Sequence, residues 1–490
     1  MNSARSEEAG PMKHRIWWLV ALGVLLMGLG LNGARAVMAA GSAAVPEGVD
    51  LIEVTVGSEA QSAVGLDALA EAQAQLEGSR LSWWALGRGT IGTDDRNTIA
   101  DVYGVTGAFQ DFHHMDMLYG SFLPRTRNGS NAVVLESDLA NRLFGTENAV
   151  GLAVEFMGVT FQVCGVCRTD SSILGLVSSN SQFRAYVTGY DLVNTGKLEI
   201  GGMEALLPEA APGVAMQTLK TALQEQGLPT ASMLFADSTD RRRVDDQLTS
   251  LPLAAVSLSA MAVLLAIVLR SARGLFLEAR GILREDYFRN AWGALLWRVG
   301  KLLLITVAAA ALSWFLWRLV GLEPYLPAKY IPGSWIDLSF YQELIRSESQ
   351  AAIEAASYSR QWWAVSRETA LAIGRALNSL AVLGAVTAAL SLRVLWADRK
   401  WEGASRTPVH NPGRWDIPVL WGLALLGYGL SLLLTAAVGL PLYTSTDVPA
   451  VQGIALTLWA LALHRDTLDR FLFKQAAAQA AGSRQQKYGG

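Results

Sequence analysis

Ala132-Val133-Val134-Leu135-Glu136-Ser137-Asp138-Leu139-Ala140-Asn141-Arg142-Leu143-Phe144-Gly145 carries two elements in fourteen residues. Ala132–Leu135 is an apolar, β-branched run that reads as a strand. Ser137–Phe144 reads as a helix, with Ser137 as its cap, Asp138 favourable in its first turn and Gly145 closing it. The same mixture extends outward. Leu51–Val56 alternates like a strand. Ser62–Leu76 predicts a helix with Val64, Leu66, Leu69, Ala72 and Leu76 on one apolar side. Val102–Val105 and Tyr186–Thr188 are short strand candidates. Ala153–Met157 and Thr160–Val166 form a hairpin joined at Gly158, and Ala215–Gln226 is a helix ended by Gly227. These elements make residues 37–249 a folded α+β domain with short connections.

The rest of the chain is written for a bilayer. At 51% hydrophobic residues and a mean hydropathy of +0.27, the protein is too apolar for an ordinary soluble chain. A net charge of −3 argues against a general nucleic-acid binder. Candidate spans are 16–34, 250–269, 300–320, 376–396, 417–439 and 448–464, each about as long as a helix needs to cross roughly 30 Å of hydrocarbon, with the last one marginal. Many of the 16 tryptophans sit at span ends, as an aromatic belt requires. The expected fold class is therefore a polytopic α-helical membrane protein of about six spans with a large extracytoplasmic α+β domain between spans one and two. The segments are 1–36 (N-terminus and first span), 37–249 (outer domain), 250–320 (spans two and three around the loop 270–299), 321–375 (outer loop), 376–464 (spans four to six) and 465–490 (tail).

Lys and Arg set the orientation. They concentrate before span one, after spans two and four, and in the tail, so both termini are expected in the cytoplasm of a multi-pass cell-membrane protein. Arg241, Arg242 and Arg243 stand on the wrong side, among Asp237, Asp240, Asp245 and Asp246. Lys13-His14-Arg15, the following apolar run and Ala34-Arg35-Ala36 also resemble a cleavable signal peptide. The length of the run favours an uncleaved anchor.

Within Asp101–Thr169 the residues resemble a known family. The pieces are Tyr103-Gly104-Val105, Leu118-Tyr119-Gly120-Ser121-Phe122, Val133-Val134-Leu135-Glu136, Leu139-Ala140, Leu143-Phe144-Gly145, Gly151, Val154, Gly158 and Phe161-Gln162-Val163-Cys164-Gly165-Val166. They are similar to the periplasmic core domain of the MacB/FtsX-type ABC transporter permeases. The resemblance implies a membrane subunit whose outer domain moves in response to cytoplasmic ATP hydrolysis, as mechanical transmission without a conventional pore. It also implies a separate ABC ATPase subunit, a second permease-like subunit in a homo- or heterodimer, and peptide, lipoprotein, lipid or drug cargo. The chain departs from the family in the loop 321–375, in two extra spans at 417–464, and in a poorly kept glycine-rich signature in 270–301.

No phosphate-binding G-x-x-x-x-G-K-[ST] loop occurs, so no cofactor is expected in this chain; ATP and Mg would be bound by the partner ATPase. Helical spacing of apolar residues in 271–291 predicts an amphipathic helix. Family members dock a helix at this position on the ATPase, which implies Leu275, Phe276, Glu278, Arg280, Ile282, Leu283, Arg284, Glu285 and Asp286 as docking residues. An interfacial helix lying on anionic lipid is the alternative. Cys164 and Cys167 stand at a strand end; burial as small hydrophobes is expected, with side chains three apart on opposite faces. Asp111, His113, His114 and Asp116 are read as a polar surface turn rather than a metal site, because adjacent histidines rarely converge on one ion. No catalytic or metal constellation is expected, and the chain is not read as an enzyme. Asn32, Asn378 and Ser379 are candidates for interhelical hydrogen bonds. The segment 321–375 reads as a cap on the outer domain, with an aromatic, proline-punctuated turn through Tyr325, Tyr330 and Trp335 and helices at Phe340–Ser347 and Glu354–Arg360. The competing function is a non-transport scaffold or sensor that regulates an extracytoplasmic partner such as a cell-wall hydrolase.

Overall fold

The computed structural model describes residues 4–41, 48–125, 131–179, 182–211, 213–285, 288–322, 324–332, 338–358, 361–402 and 416–463. Contacts divide the chain into two units. One contains residues 40–246 and 324–371, the other residues 1–39, 247–323 and 372–490.

The first unit is built on a ten-stranded sheet. Its strands are β1 (Val49–Val56), β2 (Arg80–Gly92), β3 (Asn97–Val105), β4 (Met117–Gly120), β5 (Ala132–Glu136), β6 (Ala153–Phe156), β7 (Val159–Cys167), β8 (Phe183–Thr188), β9 (Gly202–Pro208) and β10 (Met233–Asp237). β2 forks the sheet. Its first half pairs with β9, which continues through β1 to β10. Its far end pairs with β6, and the ladder runs β2-β3-β8-β5-β7-β6 and back to β2. The sheet thereby closes on itself at one end and stays open at the other. Gly87 and Gly89 make the closure feasible. A Cβ at either would lie 3.2 Å from the ring of Phe156, a distance tighter than ordinary packing tolerates.

The sequence explains most of these elements. β1 alternates, with Ile52, Val54 and Val56 in the main core. In the β6–β7 hairpin, Met157 and Gly158 both take positive φ (51° and 71°), the backbone of a type I′ turn. Gly145 ends helix 137–144 in the left-handed conformation. The unit also carries helices α1 (Ala4–Gly41, shared with the second unit), α2 (Leu66–Gln75), α3 (Ser137–Phe144), α4 (Ile173–Ser179), α5 (Tyr190–Asn194) and α6 (Val214–Glu225). Two details differ from expectation. The helix begins at Leu66 rather than Ser62, because residues 61–63 form a separate 3₁₀ turn. Ser137 does not cap α3: Glu136 takes the cap position, and Ser137 Oγ lies 3.1 Å from Thr169 Oγ1 and accepts from its backbone N–H.

The second unit is helical. Its elements are α7 (Ser238–Glu285), α8 (Phe288–Val320), α10 (Trp362–Glu402), α11 (Asp416–Ala437) and α12 (Asp447–Leu463), with α9 (Leu338–Ser357) belonging to the first unit. Among the described residues five helices are long and apolar enough to cross a membrane; Asp447–Ala462 is apolar but shorter. The α1 window is 56% buried, whereas that of α8 is 6% buried. α1 is therefore the central helix. α10 approaches it closely: a Cβ at Gly23 would sit 2.6 Å from Ala388 N, and one at Gly30 2.6 Å from Ala381 N. α11 and α12 are tied to α1 by polar bonds, Asn32 Nδ2 to Ser431 Oγ (2.6 Å) and Gln452 Nε2 to the Val24 carbonyl (2.7 Å). Asn378 links helices as expected by donating to the Leu248 carbonyl, but Ser379 returns its hydroxyl to Arg375 of its own helix.

The unit boundaries fall within α1, α7 and α10, so three unbroken helices contribute residues to both units. Residues 324–371, expected as a cap, belong to the same unit as the sheet. The two helices expected there are one, α9; Trp335, Ser359 and Arg360 lie outside the described residues.

Candidate functional site

The segment expected as a loop at 270–299 is a helical hairpin. α7 continues without a break through Glu285, and α8 starts at Phe288. Phe276 and Leu277 are exposed, Leu275 is half-buried, and Arg280 is exposed. Glu278 pairs with Arg298 of α8 at 3.0 Å, which joins the two arms. Ile282, Leu283, Arg284 and Glu285 continue the helix, though their side chains are not described, and Asp286 lies outside the described residues. Trp292, Leu296 and Trp297 add exposed apolar surface on α8. The hairpin thus offers exposed large apolar side chains beside the exposed Arg273 and Arg280, the composition of a surface that meets a partner or a bilayer.

In the α+β unit the polar residues are gathered around aromatic rings. Trp84, Tyr103, Phe109, Phe122 and Tyr186 form a second core cluster, against which Trp362 and Trp363 pack. Trp363 is 5.7 Å from Trp84, 5.6 Å from Phe109 and 4.6 Å from the His113 ring. Three ion pairs border this cluster. His113 Nε2 lies 2.8 Å from Glu204 Oε2, both nearly sealed from solvent. Arg184 pairs with Glu136 and stacks over the Trp362 ring at 4.7 Å. Arg367 donates twice to the Glu53 carboxylate, 2.9 Å each. Burial works to raise the Glu53 carboxyl, but the charge and hydrogen bonds of Arg367 hold it below its ordinary value.

His113 therefore does not belong to a surface turn. Asp111 is occupied by Arg80 and Arg125, Asp116 by Arg168, and His114 points outward. No group of three or more metal-capable side chains converges among the described residues. Cys164 and Cys167 are free thiols, as expected for small hydrophobes. They do not lie on opposite faces, however. The β5–β7 ladder skips a residue at Cys164, Val133 facing Val163 and Val134 facing Gly165. This bulge reverses the alternation and turns both sulfurs to the aromatic cluster. Burial pushes the Cys164 thiol up to about 11 and the Cys167 thiol up to about 12, which makes both poor nucleophiles.

One arginine of the run at 241–243 has partners within its own unit. Arg243 donates to Glu209 at 2.7 Å and lies over the Tyr325 ring, while Tyr325 donates to Asp240. Charges within a large translocated domain exert little pull on topology.

Residues 20–226 match the family model described as the MacB-like periplasmic core domain. Solved structures similar to the chain include the periplasmic region of MacB from Actinobacillus actinomycetemcomitans, at 17% identity and a TM-score of 0.32, covering 40% of this chain and 92% of that one. The extracellular domain of the noncanonic ABC-type transporter YknZ from Gram-positive bacteria matches at 16% identity and a TM-score of 0.31, covering 38% of this chain and 100% of that one. A domain of a putative permease protein from Porphyromonas gingivalis matches at 14% identity and a TM-score of 0.27, covering 39% and 88%. No curated protein sequence matches the chain.

Proposed function

From a membrane-embedded chain that carries a MacB-like periplasmic core domain, and is thereby related to the MacB/FtsX-type ABC transporter permeases, we propose a membrane subunit that couples ATP hydrolysis in a separate ATPase to movement of its extracytoplasmic domain. The single observation that carries this reading is α7. It starts at Ser238, directly after the last strand of the sheet, and runs unbroken to Glu285. At 1.5 Å per residue it is about 70 Å long. One helix therefore joins the end of the outer sheet to the exposed surface at Phe276, Leu277 and Arg280.

In this reading the α7–α8 hairpin is cytoplasmic and receives the ATPase through its apolar side chains, with Arg280 and Arg284 supplying charge. Both termini are cytoplasmic. A second permease-like subunit completes the transporter. The cargo belongs to the class of peptides, lipoproteins, lipids or hydrophobic drugs, handled by the outer domain. ATP and Mg are bound by the partner, which leaves this chain without a catalytic role. Packing supports a retained first span: Val20, Val24, Met27 and Asn32 of α1 are buried in the bundle, Gln452 donates to the Val24 carbonyl of α1, and Asn32 donates to Ser431.

Purification of the native membrane protein under gentle detergent tests the reading. Recovery of an ABC ATPase is the expected result, and Phe276→Asp together with Arg280→Glu should lower that recovery at least tenfold. Recovery of no ATPase, or full function after deletion of Ser271–Ala291, would replace the transporter with the scaffold reading.

A further inference from the structure

The helical unit contains an apolar slot of about 250 Å³ between α7 and α10. α7 lines it with Pro252, Ala255 and Ser259, the spacing of one helical face. α10 lines it with Ala381, Ala385 and Ala389, each one turn from the next. Two facing rows of such small side chains cannot fill the space between the helices. Buried Leu31 of α1 and half-buried Trp459 of α12 also border it. Val382 and Val386 line the slot too, yet they are 50% and 49% exposed, so its mouth lies on the outside of the bundle. The polar groups at its two ends are engaged. Trp459 Nε1 donates to Ser259 Oγ (3.1 Å), and that hydroxyl donates to the Val256 carbonyl. Pro252 has no N–H, which frees the Leu248 carbonyl one turn back, and Asn378 Nδ2 of α10 donates to it (3.3 Å). A guest that brought polar groups into the slot would leave them unpaired.

Size and charge select the guest. From Pro252 to Ser259 the slot runs about 10 Å along α7. A partner helix of that length, about 10 Å wide with its side chains, would occupy roughly 800 Å³, far more than the slot holds. An apolar cavity of only about 150 Å³ already takes up benzene, so a thin hydrocarbon chain fits where a helix does not. Arg375 stands on α10 in line with the mouth, at seven and eleven residues before Val382 and Val386, and about 10 Å beyond them along the helix. Its side chain is exposed and has no ion-pair partner among the described residues. A hydrocarbon slot on the lipid side of a spanning helix, headed by a free guanidinium, matches a phospholipid. The chain meets the slot and the phosphate meets the arginine, which suits phosphate oxygens bidentately.

We propose that the slot is a site for a resident anionic phospholipid of the bilayer, with one acyl chain between α7 and α10 and its phosphate on Arg375. An anionic headgroup is preferred because the ammonium of a zwitterionic one competes with the guanidinium for the same phosphate. The site belongs to the helical unit alone. It depends neither on an ATPase partner nor on the cargo.

The test uses the full-length protein in phosphatidylcholine nanodiscs that contain a small fraction of phosphatidylglycerol with a photoactivatable diazirine on one acyl chain. Peptide mapping should place cross-links in 252–259 and 381–389 at least tenfold above those on α8, whose exposed Leu303 and Leu304 report ordinary lipid contact. A phosphatidylcholine probe with the same diazirine should label the slot less. Arg375→Gln should lower slot labelling by the phosphatidylglycerol probe about fivefold, the factor expected for one arginine facing an anionic lipid, and should remove its advantage over the phosphatidylcholine probe. Ala385→Leu, which fills the slot, should lower labelling by both probes at least tenfold. Val386→Trp blocks the half-exposed mouth without enlarging a buried side chain, should do the same, and keeps the test decisive should Ala385→Leu fail to fold. Labelling that is as strong on α8 as in the slot, or that Val386→Trp leaves unchanged, overturns the proposal. So does equal slot labelling of the wild type by the two probes.

Discussion

Arg184 Nε lies 2.9 Å from Glu136 Oε1, with the two side chains only 4% and 7% exposed. The pair sits where β5 meets β8, beneath the Trp362 ring, and it is enclosed by groups that oppose a free charge. Burial pushes the Glu136 carboxyl up to about 7, outweighing the pull of Arg184, with Asp138 and Asp170 adding to the rise. The proton is thus held more tightly in the folded state than in the unfolded one. The stability tied to it is complete below about 4.5 and is lost as the pH rises through 7. Glu136→Gln removes this dependence. Between pH 4.5 and pH 8 the wild type should lose about 3 kcal/mol relative to the variant, read from thermal unfolding of the detergent-solubilised protein. Arg184→Met removes the charge that opposes this rise, so the Glu136 carboxyl should keep its proton to higher pH and the fall in stability should move upward in pH with it.

The two adjacent histidines should behave in opposite ways. His113 is buried against Glu204, whereas His114 is exposed. His113→Ala leaves the Glu204 carboxyl sealed without its partner and should cost about 3 kcal/mol. His114→Ala should stay within about 0.5 kcal/mol. Addition of zinc or of a chelator should leave the unfolding temperature unchanged, because Asp111 and Asp116 already serve arginines. A metal-dependent shift in that temperature would restore the metal reading.

The β6–β7 turn holds a non-glycine residue in the left-handed region, Met157 at φ 51°. Asparagine adopts that conformation more readily, and Asn-Gly is the preferred pair for this turn. Met157→Asn should stabilise the protein by about 0.5–1 kcal/mol and Gly158→Val should destabilise it by at least about 1 kcal/mol. Chemical denaturation of the two variants checks both signs.

In the helical unit, Gln452→Leu and Asn32→Leu each remove one interhelical hydrogen bond. A loss of about 0.6–2 kcal/mol is expected for each. Gly30→Val should be worse than either, since its Cβ would press on the backbone of α10. Unfolding in mixed micelles should give that order.

The legible parts of the fold were mostly those with one exposed side. The helix at 137–144, the hairpin at 153–166 and the amphipathic helices show their period because water sits on one face, whereas the strand at 132–136 is buried throughout and was legible as an apolar, β-branched run. β2 and β9 carried no such pattern. β9 is Gly-Met-Glu-Ala-Leu-Leu-Pro, buried along almost its whole length and composed largely of good helix formers. β2 holds Gly87, Gly89 and Gly92, which read as breaks although two of them make room for Phe156. The helical character of 275–285 was legible from spacing, but its continuity with the preceding span was not, since apolar residues on all sides mask a helix start. Trp362 and Trp363 stand in no periodic pattern that marks them as core residues. Only tertiary structure places them beside Arg184 and His113. The bulge at Cys164 was invisible for the same reason: an extra residue in a ladder leaves no mark on a single strand.

The place of Trp363 in the chain has a consequence for biogenesis. Apart from the neighbouring Trp362, the aromatic cluster it completes is made of residues from β2, β3, β4, β5, β7, β8 and the turns near them, all translated early. Trp363 emerges only after α7, α8 and α9 have been synthesised. Until then the translocated domain must wait with Trp84, Tyr103 and Phe109 uncovered, a half-finished intermediate of the kind that aggregates or recruits chaperones. Maturation of the domain outside the membrane is thereby timed by insertion of the helices within it.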